Sequence, residues 1–496
     1  MSPFLETAAN PRSLRRVVIE PVTRVEGHGK VTLLLDDEGR VRQARLHIVE
    51  FRGFEKFIQG RPYWEVPVLV QRLCGICPVS HHLAAGKAVD MLVGARRLTP
   101  TAEKLRRLLH AGQIVQSHAL HFFHLASPDL LFGFDSERDR RNIVGVIGAE
   151  PELARKGVLL RKYGQEVIRH ITGKRVHGKA VVPGGMNKEL TQSARDEMRR
   201  GIGEIIGWSR EAVAIGRRLF ESSEQSAQFA VFPSNYMGLV APNGESDLYD
   251  GVLRAKDAAG KIIFDQVDYT KYNRFLREEV KPWTYMKFPF IVSLGEEEGW
   301  YRVGPLARLN VADRLGTPLA EAERQAFRAA AGGGMQHATL AYHWARLIEM
   351  LHAAERIERL LDDPDILGAD LVTSGERAFE GVGVVEAPRG TLFHHYKVDE
   401  NDLVVRANLI VSTTHNNQAM NESVRSVAAR YLDGKELTEG LLNHIEVAIR
   451  AYDPCLSCAT HALGRMPLQV ELVDAGGSVI SRMVKGSDGR VTDGEG

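Results

Sequence analysis

Four cysteines, arranged as two Cys-x-x-Cys pairs, are the residues of this sequence best suited to chemistry. Cys74 and Cys77 lie in the stretch RLCGIC, Cys455 and Cys458 lie in DPCLSC, and the 496 residues contain no other cysteine. A Cys-x-x-Cys turn can aim both sulfurs at one ion, and four thiolates suit zinc, an iron–sulfur cluster or a soft late transition metal. The two pairs therefore predict a single metal centre.

A structural zinc ribbon is the simplest alternative for two such pairs. Zinc ribbons leave roughly fifteen to twenty residues between the pairs, whereas here almost the whole chain lies between them. A local knuckle does not need ligands from both ends of a protein, but a catalytic centre inside a large core can use both. A histidine also follows each pair, His81 and His461, where it could act as an outer donor or bind another ion.

Composition excludes several classes of function. Hydrophobic residues make up 44% of the chain, charged residues 26%, and the net charge is +1, values of an ordinary globular protein with a substantial core. Nothing in this balance favours nucleic acid or an anionic membrane as a partner. No apolar run is long enough to span a membrane, and the N-terminus lacks an apolar signal core. We therefore expect a cytoplasmic protein, whose thiols serve metals or catalysis more often than disulfides.

The elements predicted around the cysteines indicate a predominantly helical α+β fold. KVTLLLDD and RVRQARLHIVE alternate apolar and polar residues around the turn 37–39 and predict a β-hairpin. Apolar spacing predicts one helix that starts after the N-cap Thr99 and another over 335–361. Alternation returns between 381 and 413, as two runs on either side of the turn 399–402. Residues 189–330 show only short helical runs, so we expect a long-helix core with small antiparallel sheets near both ends.

The C-terminal segment differs from the rest of the chain. Residues 1–461 read as a single domain, and residues 462–496 read as an extension. Within the extension, LQVELVDAGGSVISRMV predicts a hairpin, and GSDGRVTDGEG after it has the composition of a disordered segment.

The motifs Arg-x-Cys-Gly-x-Cys-x-x-x-His and Asp-Pro-Cys-x-x-Cys-x-x-His resemble those of the large, catalytic subunit of NiFe hydrogenases. PVTRVEGHGK, FRGFEKFIQGR, GKRVHGKAVVPGG, EAPRGTLFHHY and ANLIVSTTHNN extend the likeness in the same order. QSHALHFFHL, YMKFPF and RVGPLARLNV are similar to the cytoplasmic, bidirectional NAD-linked class. The resemblance implies reversible heterolytic cleavage of H2 by a hydrogen:NAD+ oxidoreductase, with NADP or a deazaflavin as alternative acceptors.

The resemblance implies a nickel ion bound by all four cysteines. Cys77 and Cys458 would bridge to an iron that carries one carbon monoxide and two cyanides. Heterolysis yields a hydride and a proton, so a base is needed beside the metals. The resemblance gives this role to the terminal thiolate of Cys455, and it gives the outward passage of the proton to Glu26.

The resemblance also implies a set of groups around the iron's ligands. Arg389 would overhang the metals and hydrogen-bond a cyanide, and its fixed positive fork would favour heterolytic charge separation. Pro388 would line the same pocket, and the Thr413 hydroxyl would face the other cyanide. His81 would be an outer donor near the bridging thiolates, and Asp453 would hold the C-terminal turn and the surroundings of Arg389.

A second ion, of the magnesium type, is implied by the same resemblance. Its ligands would be Glu55, the carbonyl of Leu409 and His461; the oxygens are the hard ligands that such an ion prefers, although histidine is not. One position departs from the family pattern. Uptake-type relatives carry an aspartate where this chain has Ser117, so an acidic partner of Arg389 is missing there and another group or a water molecule must satisfy it.

The count of thiols predicts partners. An iron–sulfur cluster needs about four cysteines, so none is left for one, and no glycine fingerprint for a dinucleotide or other sign of a flavin site is present. We therefore expect a small subunit that carries iron–sulfur clusters and a flavin-containing diaphorase module. The resemblance further implies an endopeptidase that cuts after His461, which would make residues 462–496 a removable propeptide.

Two other interpretations compete with the hydrogenase. One is a non-catalytic scaffold in which zinc only joins the two ends of the chain; nickel and iron against zinc alone would separate the two. The other is a quinone-site subunit of the respiratory-complex type, but such subunits lack the thiol pairs that this chain retains.

Overall fold

The computed structural model describes residues 5–222 and 227–460, and beyond them only the backbone of three strands between residues 468 and 493. Helices form the centre of this described part. Those of ten or more residues are α1 Pro78–Leu92, α2 Pro100–Leu120, α3 Pro151–Thr172, α4 Gln192–Glu221, α5 Pro318–Ala330, α6 Ala341–Asp362, α7 Asn417–Val427 and α8 Glu439–Ala451. None of the helices in these ranges is both long and apolar enough to cross a bilayer.

Helices α2 and α6 are buried along nearly their whole length and pack against each other in the core. Helix α2 begins as predicted, because the Thr99 hydroxyl accepts the N–H of Ala102 and Pro100 occupies the first position. Helix α3 packs on α2, and α4 packs on α6. The predicted long-helix core is therefore confirmed.

Helix α6 begins at Ala341, whereas the apolar spacing predicts a start near Met335. The Asn310 side chain accepts the N–H of Gln336 at 3.0 Å and donates to its carbonyl at 2.9 Å. The Asn310 side chain thus occupies the backbone N–H and C=O of Gln336, which a helix would use for its own hydrogen bonds. The helix therefore starts only after this residue.

The N-terminal sheet contains the predicted hairpin and one strand more. Strands β1 Arg15–Ile19, β2 Gly29–Leu35 and β3 Val41–Ile48 are antiparallel in that order. The hairpin β2–β3 is confirmed. The pattern misses β1 because that strand is short and mostly exposed, so it lacks a clear apolar alternation.

The expectation of only short helical runs in residues 189–330 is wrong. This stretch contains the thirty-residue helix α4 and a four-stranded sheet, made of β4 Asn235–Val240, β5 Val252–Lys256, β6 Ile262–Val267 and β7 Tyr301–Arg302. The order is β7-β4-β5-β6, with β7 and β4 parallel and the other neighbours antiparallel. Small and polar residues on the buried face of α4, such as Ser209 and Gly216, obscure its period.

The third sheet positions part of the candidate site. Strands β8 Glu380–Ala387, β9 Gly390–Val398 and β10 Val404–Ile410 are antiparallel in that order. The first of the two predicted runs is broken by a tight turn at Pro388 and Arg389. Helix α1, which starts directly after Cys77, packs on β8 and β9.

The three strands described beyond residue 467 form an antiparallel sheet. Strands β11 Leu468–Val473 and β12 Val479–Lys485 are the predicted hairpin. Strand β13 Val491–Asp493 pairs with β12, so the expectation of disorder is wrong for these three residues. Backbone pairing with an existing strand orders a segment whose composition alone favours disorder. The fold is thus α+β and predominantly helical, with small antiparallel sheets near both ends as expected.

Candidate metal centre

The two cysteine pairs come together in the interior. The four Sγ atoms lie within 4.8 Å of one another, and all four side chains are buried: Cys74, Cys77, Cys455 and Cys458. The Sγ atoms of Cys74 and Cys455 are 3.4 Å apart, and those of Cys455 and Cys458 are 2.7 Å apart. Thiols from opposite ends of the chain therefore form one cluster, as the sequence predicts.

Local backbone structure directs each pair towards the cluster. Cys74 follows the 3-10 helix Val70–Leu73, and its Sγ accepts the N–H groups of Ile76 and Cys77, each at 3.2 Å. The second pair lies in the turn after helix α8, where the short 3-10 helix Leu456–Cys458 brings both sulfurs to one side. The Cys458 thiol also reaches the carbonyl of Leu73 at 3.4 Å, which joins the two turns directly.

The charges of the cluster favour a cation. Burial raises the pKa of the Cys455 thiol and that of the Cys458 thiol. The pKa of Cys77 is held low, because its sulfur accepts hydrogen bonds from its neighbours, first of all Cys455. Four thiols this close cannot all ionise in a dry site, and a soft cation in place of their protons would stabilise all four as thiolates. The donor set therefore fits a thiolate-bound metal.

Glu26 is the carboxylate that lies against the second cysteine turn. It forms a parallel β-bridge with Cys455, its carbonyl accepts the N–H of Leu456 at 2.9 Å, and its carboxylate accepts the N–H of Ser457 at 3.2 Å. The close approach needs Gly27, which has φ of +84° and lies where any Cβ would collide with Ser457. Glu26 is half-buried, so it lies between the cluster and the surface.

Arg389 is buried beside the cluster and has an acidic partner after all. Its Nη2 donates to Asp453 Oδ1 at 3.0 Å, and its Nη1 lies 3.4 Å from the Ser117 hydroxyl. Burial disfavours the charge, but Asp453 and the nearby cysteines outweigh it and raise the pKa of Arg389 well above its ordinary range. The expectation that another group replaces the missing acid at position 117 is confirmed: Asp453 supplies the carboxylate.

Asp453 has an unusual backbone for this task. Its φ is +53°, in the left-handed region that aspartate tolerates better than most residues. A second buried cation, Arg346, attracts Asp453 through its charge and donates to the carbonyl of Ala451 at 2.9 Å. The sequence analysis does not identify Arg346; the available signal was a charged residue within the largely apolar first half of helix α6.

The remaining predicted groups line a small cavity of about 10 Å³ next to the sulfurs. Pro388, His81 and Thr413 border it together with Arg389 and Cys455. The Thr413 hydroxyl accepts the backbone N–H of Cys455 at 2.9 Å. The His81 ring is buried, with Nδ1 3.1 Å from Nε2 of His394. These residues therefore lie together at one side of the sulfur cluster; the roles that the resemblance implies for them remain predictions.

The predicted second ion site is partly within the described residues. Glu55 Oε1 accepts the N–H of Leu409 at 2.8 Å, and burial raises the pKa of Glu55. The carbonyl of Thr460 accepts the N–H of Arg52 at 3.1 Å, which brings the end of the described chain to the loop before Glu55. His461 lies outside the described residues.

Comparison with known proteins gives a consistent result. Residues 52–132 and 251–461 match the family described as nickel-dependent hydrogenase, and residues 16–51 match one described as HoxL-like. The chain is 49% identical over 491 residues to the NAD-reducing hydrogenase HoxS subunit beta of Cupriavidus necator, a match that covers 95% of this chain and 100% of that one. It is 41% identical over 478 residues to a chain of the F420-non-reducing hydrogenase vhc of Methanococcus voltae, with coverage of 95% and 100%.

Solved structures show the same similarity. The crystal structure of an NAD+-reducing NiFe hydrogenase in the H2-reduced state matches with 58% identity and a TM-score of 0.89, over 91% of this chain and 100% of that one. The reduced Ni-Fe-Se hydrogenase of D. vulgaris Hildenborough shares the fold, with a TM-score of 0.73 at 23% identity, over 90% of this chain and 100% of that one.

Proposed function

Because this chain belongs to the nickel-dependent hydrogenase family, we propose that it is the catalytic subunit of a hydrogen:NAD+ oxidoreductase, and that it cleaves H2 reversibly and heterolytically. The observation that carries the proposal is the buried cluster of four thiol sulfurs, within 4.8 Å of one another, drawn from both ends of the chain. A zinc scaffold would use such a cluster only as a structural link, and the buried arginine and carboxylates beside it would then have no task.

Cys74, Cys77, Cys455 and Cys458 would hold nickel, and Cys77 and Cys458 would also bind an iron with one carbon monoxide and two cyanides. When bound, this group would supply the site at which H2 is polarised and split. The cysteines exclude bulk water from that site, since all four are buried. A dry site strengthens every electrostatic interaction inside it.

Two residues of this chain would handle the proton. Cys455 Sγ would accept it, and the Glu26 carboxylate would pass it outwards. Glu26 is suited to that task because the bridge to Cys455 and the N–H of Ser457 fix it beside the second cysteine turn. Its half-buried position leaves one side nearer to solvent. A positioned carboxylate of this kind contributes about 10²–10⁴-fold to a proton transfer.

The pocket beside the sulfurs would orient the iron's ligands. Arg389 would donate to one cyanide, and the Thr413 hydroxyl would face the other, although it also accepts the N–H of Cys455. Pro388 would exclude water, and His81 would donate towards the bridging sulfurs. Asp453 would keep the guanidinium of Arg389 in place through the 3.0 Å ion pair.

A magnesium-type ion would lie near Glu55. The N–H of Leu409 points at the Glu55 carboxylate, and in an antiparallel strand the N–H and C=O of one residue face the same edge. The carbonyl of Leu409 therefore faces Glu55 as well, which supports a shared ion. We include His461 as the third ligand on the family pattern and the path of the chain from Thr460.

Electrons would leave through other chains. The sequence has no cysteine beyond the four of the cluster, so a small subunit with iron–sulfur clusters and a flavin-containing diaphorase would carry them to NAD+. The named NAD-reducing relatives support NAD+ over NADP or a deazaflavin. We also propose that the complex is cytoplasmic and that an endopeptidase removes residues 462–496 after His461 once the metals are bound.

One preparation tests these points together. The complex should be isolated through a tag at the N-terminus of this chain, so that processing at the C-terminus is not disturbed. We expect about one nickel and several irons per complex, infrared bands of carbon monoxide and cyanide, and H2-dependent reduction of NAD+ that exceeds reduction of NADP+ or a deazaflavin. Intact-mass analysis should show a chain that ends at His461. Zinc without nickel, or no such infrared bands, would refute the function.

A further inference from the structure

We infer that Arg308 is a positioning residue of the site, which clamps the turn at Pro388 and so fixes the guanidinium of Arg389 over the metals. This inference rests on the proposed function for its catalytic consequence. The clamp itself consists only of contacts between residues of this chain. Arg308 lies in the short helix Pro305–Val311, is 1% exposed, and donates its hydrogen bonds to residues other than the cysteines.

Every N–H of the Arg308 guanidinium has an acceptor. Nε and Nη2 form a bidentate pair with Glu349 at 2.5 Å each, and Nη1 donates to Glu386 at 2.7 Å. The two remaining N–H groups donate to the carbonyls of Ala387 at 3.0 Å and Pro388 at 3.3 Å. The guanidinium is a rigid planar group with five N–H donors, and each donor has its own acceptor. The group therefore cannot rotate without breaking hydrogen bonds.

Other buried arginines in the described part of the chain lack this property. Arg106, Arg302, Arg346 and Arg450 are buried as deeply, and each has an Nε without a partner. A buried arginine in this fold therefore does not need a hydrogen-bond acceptor for every one of its N–H groups. The complete set of contacts around Arg308 indicates that its position is specified closely.

The first arm of the clamp acts through the backbone. The carbonyls of Ala387 and Pro388 belong to the tight turn between β8 and β9, and Arg389 is the next residue. Pro388 has a fixed φ, and Arg308 binds the carbonyls of Ala387 and Pro388. These two contacts therefore fix the position of the Arg389 Cα, from which the guanidinium extends. A displaced turn would lengthen the 3.0 Å contact between Arg389 and Asp453.

The second arm reaches the other contact of Arg389. Glu349, which holds two nitrogens of Arg308, also lies 2.7 Å from Nε2 of His118. His118 follows Ser117 in helix α2, and the Ser117 hydroxyl lies 3.4 Å from Nη1 of Arg389. One ion cluster thus anchors both the backbone that carries Arg389 and the helix segment that touches its tip.

Glu386 completes the clamp and is itself held firmly. Its carboxylate accepts the N–H of Leu239 at 2.9 Å and the hydroxyl of Thr391 at 2.8 Å, in addition to Arg308. Its backbone carbonyl accepts Nε2 of His110 at 2.9 Å. Buried ion networks of this kind often add little net stability, and their best-attested benefit is to specify one arrangement.

The test compares Arg308→Lys with Arg106→Lys in the purified complex. Lysine keeps the charge of Arg308 but cannot make five contacts in one plane. Arg106 is the matched control, because it is equally buried, pairs with Asp90 and donates to the carbonyls of Val182 and Gly185. None of these partners borders the cavity beside the sulfurs. Melting temperature, nickel content, the cyanide infrared bands, and kcat and KM for H2 are measured for both.

We expect both variants to lower the melting temperature and to retain nickel. Arg308→Lys alone should shift the cyanide bands and lower kcat by about 10²-fold, with KM for H2 unchanged, because about 1 Å of misplacement of a positioned group has an effect of that size. Unshifted bands with a wild-type kcat would overturn the inference, and so would equal shifts in Arg106→Lys. If Arg308→Lys does not accumulate, Glu349→Gln, which keeps the volume, is judged by the same outcomes.

The wild-type complex distinguishes failure of the proposed function from failure of the clamp. If the wild-type complex has no cyanide bands and no H2 activity, the function fails, and the clamp is then tested by crystal structures of the same complexes. Loss of the Arg389–Asp453 contact in Arg308→Lys, with the contact kept in Arg106→Lys, would still support the clamp. Retention of the contact in both variants would overturn it.

Discussion

Replacement of Gly27 by alanine should displace the second cysteine turn and prevent full metal loading. A Cβ at this position would lie 2.6 Å from the backbone nitrogen of Ser457 and 2.9 Å from Cβ of Leu456. An ordinary contact begins at 3.4 Å, so the turn must move by about 0.8 Å, the difference between these distances. Ser457 lies between Cys455 and Cys458, so both sulfurs would move with it.

The expected size of the effect has two parts. Gly27 has φ of +84°, and a left-handed conformation costs a residue with a side chain about 1–2 kcal/mol. Displacement of the turn also weakens the hydrogen bond from Leu456 to the Glu26 carbonyl, which adds about 1 kcal/mol. We expect the free energy of unfolding to fall by about 2–3 kcal/mol, and H2 uptake per chain to fall by about 10²-fold because the ligands no longer converge.

Gly173→Ala is the matched control. Gly173 has φ of +83° at the end of helix α3, and no heavy atom lies within 4 Å of the position where its Cβ would be. This variant therefore carries the backbone cost alone. Thermal unfolding, nickel and iron per chain, and H2 uptake are measured for both variants. If Gly27→Ala matches Gly173→Ala in metal content and in activity, the argument from close approach is wrong.

Two further predictions concern single groups. Glu26→Gln keeps an oxygen that can accept the N–H of Ser457, so metal content and melting temperature should stay at wild-type values. The rate of H2 oxidation should fall by about 10²–10⁴-fold, because the amide cannot carry the proton. A wild-type rate at full metal loading would exclude Glu26 from proton transfer. His82 is buried and neutral, with a pKa lowered by burial from 6.5 to about 4. The neutral ring therefore contributes fully to the free energy of unfolding above pH 6.5. This contribution decreases as the pH falls below 6.5 and is lost once the pH has fallen through 4, and the total loss is about 3 kcal/mol. Thermal unfolding from pH 7 to pH 4 should therefore show a smaller loss in His82→Gln than in the wild type, and parallel losses would refute this.

Residue chemistry and spacing are sufficient to predict the cluster, but they do not predict its electrostatic surroundings. Four soft ligands in two pairs at opposite ends of a chain can share one ion only if the ends meet, so the convergence of Cys74 and Cys455 follows from the ligand count. The acid that pairs with Arg389 follows from no such rule. Asp453 reaches Arg389 because its backbone is left-handed and the preceding helix ends at Ala451, and both depend on packing from distant parts of the chain.

The same distinction applies to the fold. The hairpin β2–β3 and the start of helix α2 depend on local signals, namely a turn between alternating strands and an N-cap hydroxyl. The apolar pattern misses helix α4 because its buried face includes the polar Ser209 and the small Gly216. Gly216 lies directly against Leu347 of α6, a close approach that an apolar period does not reveal. The parallel pairing of β7 with β4 joins segments far apart in sequence, and no local pattern indicates it.

The position of the site explains why its chemistry and its folding are coupled. Helix α1 starts directly after Cys77 and packs on the strands whose connecting turn carries Arg389. Helix α8 ends just before the turn that carries Cys455. The sulfurs and the guanidinium therefore reach their places only when both ends of the chain have packed on the same core. A metal that binds all four thiolates would in turn stabilise that packed state by its binding free energy, so loss of a ligand should weaken the contacts of Arg389 as well as the affinity for the metal.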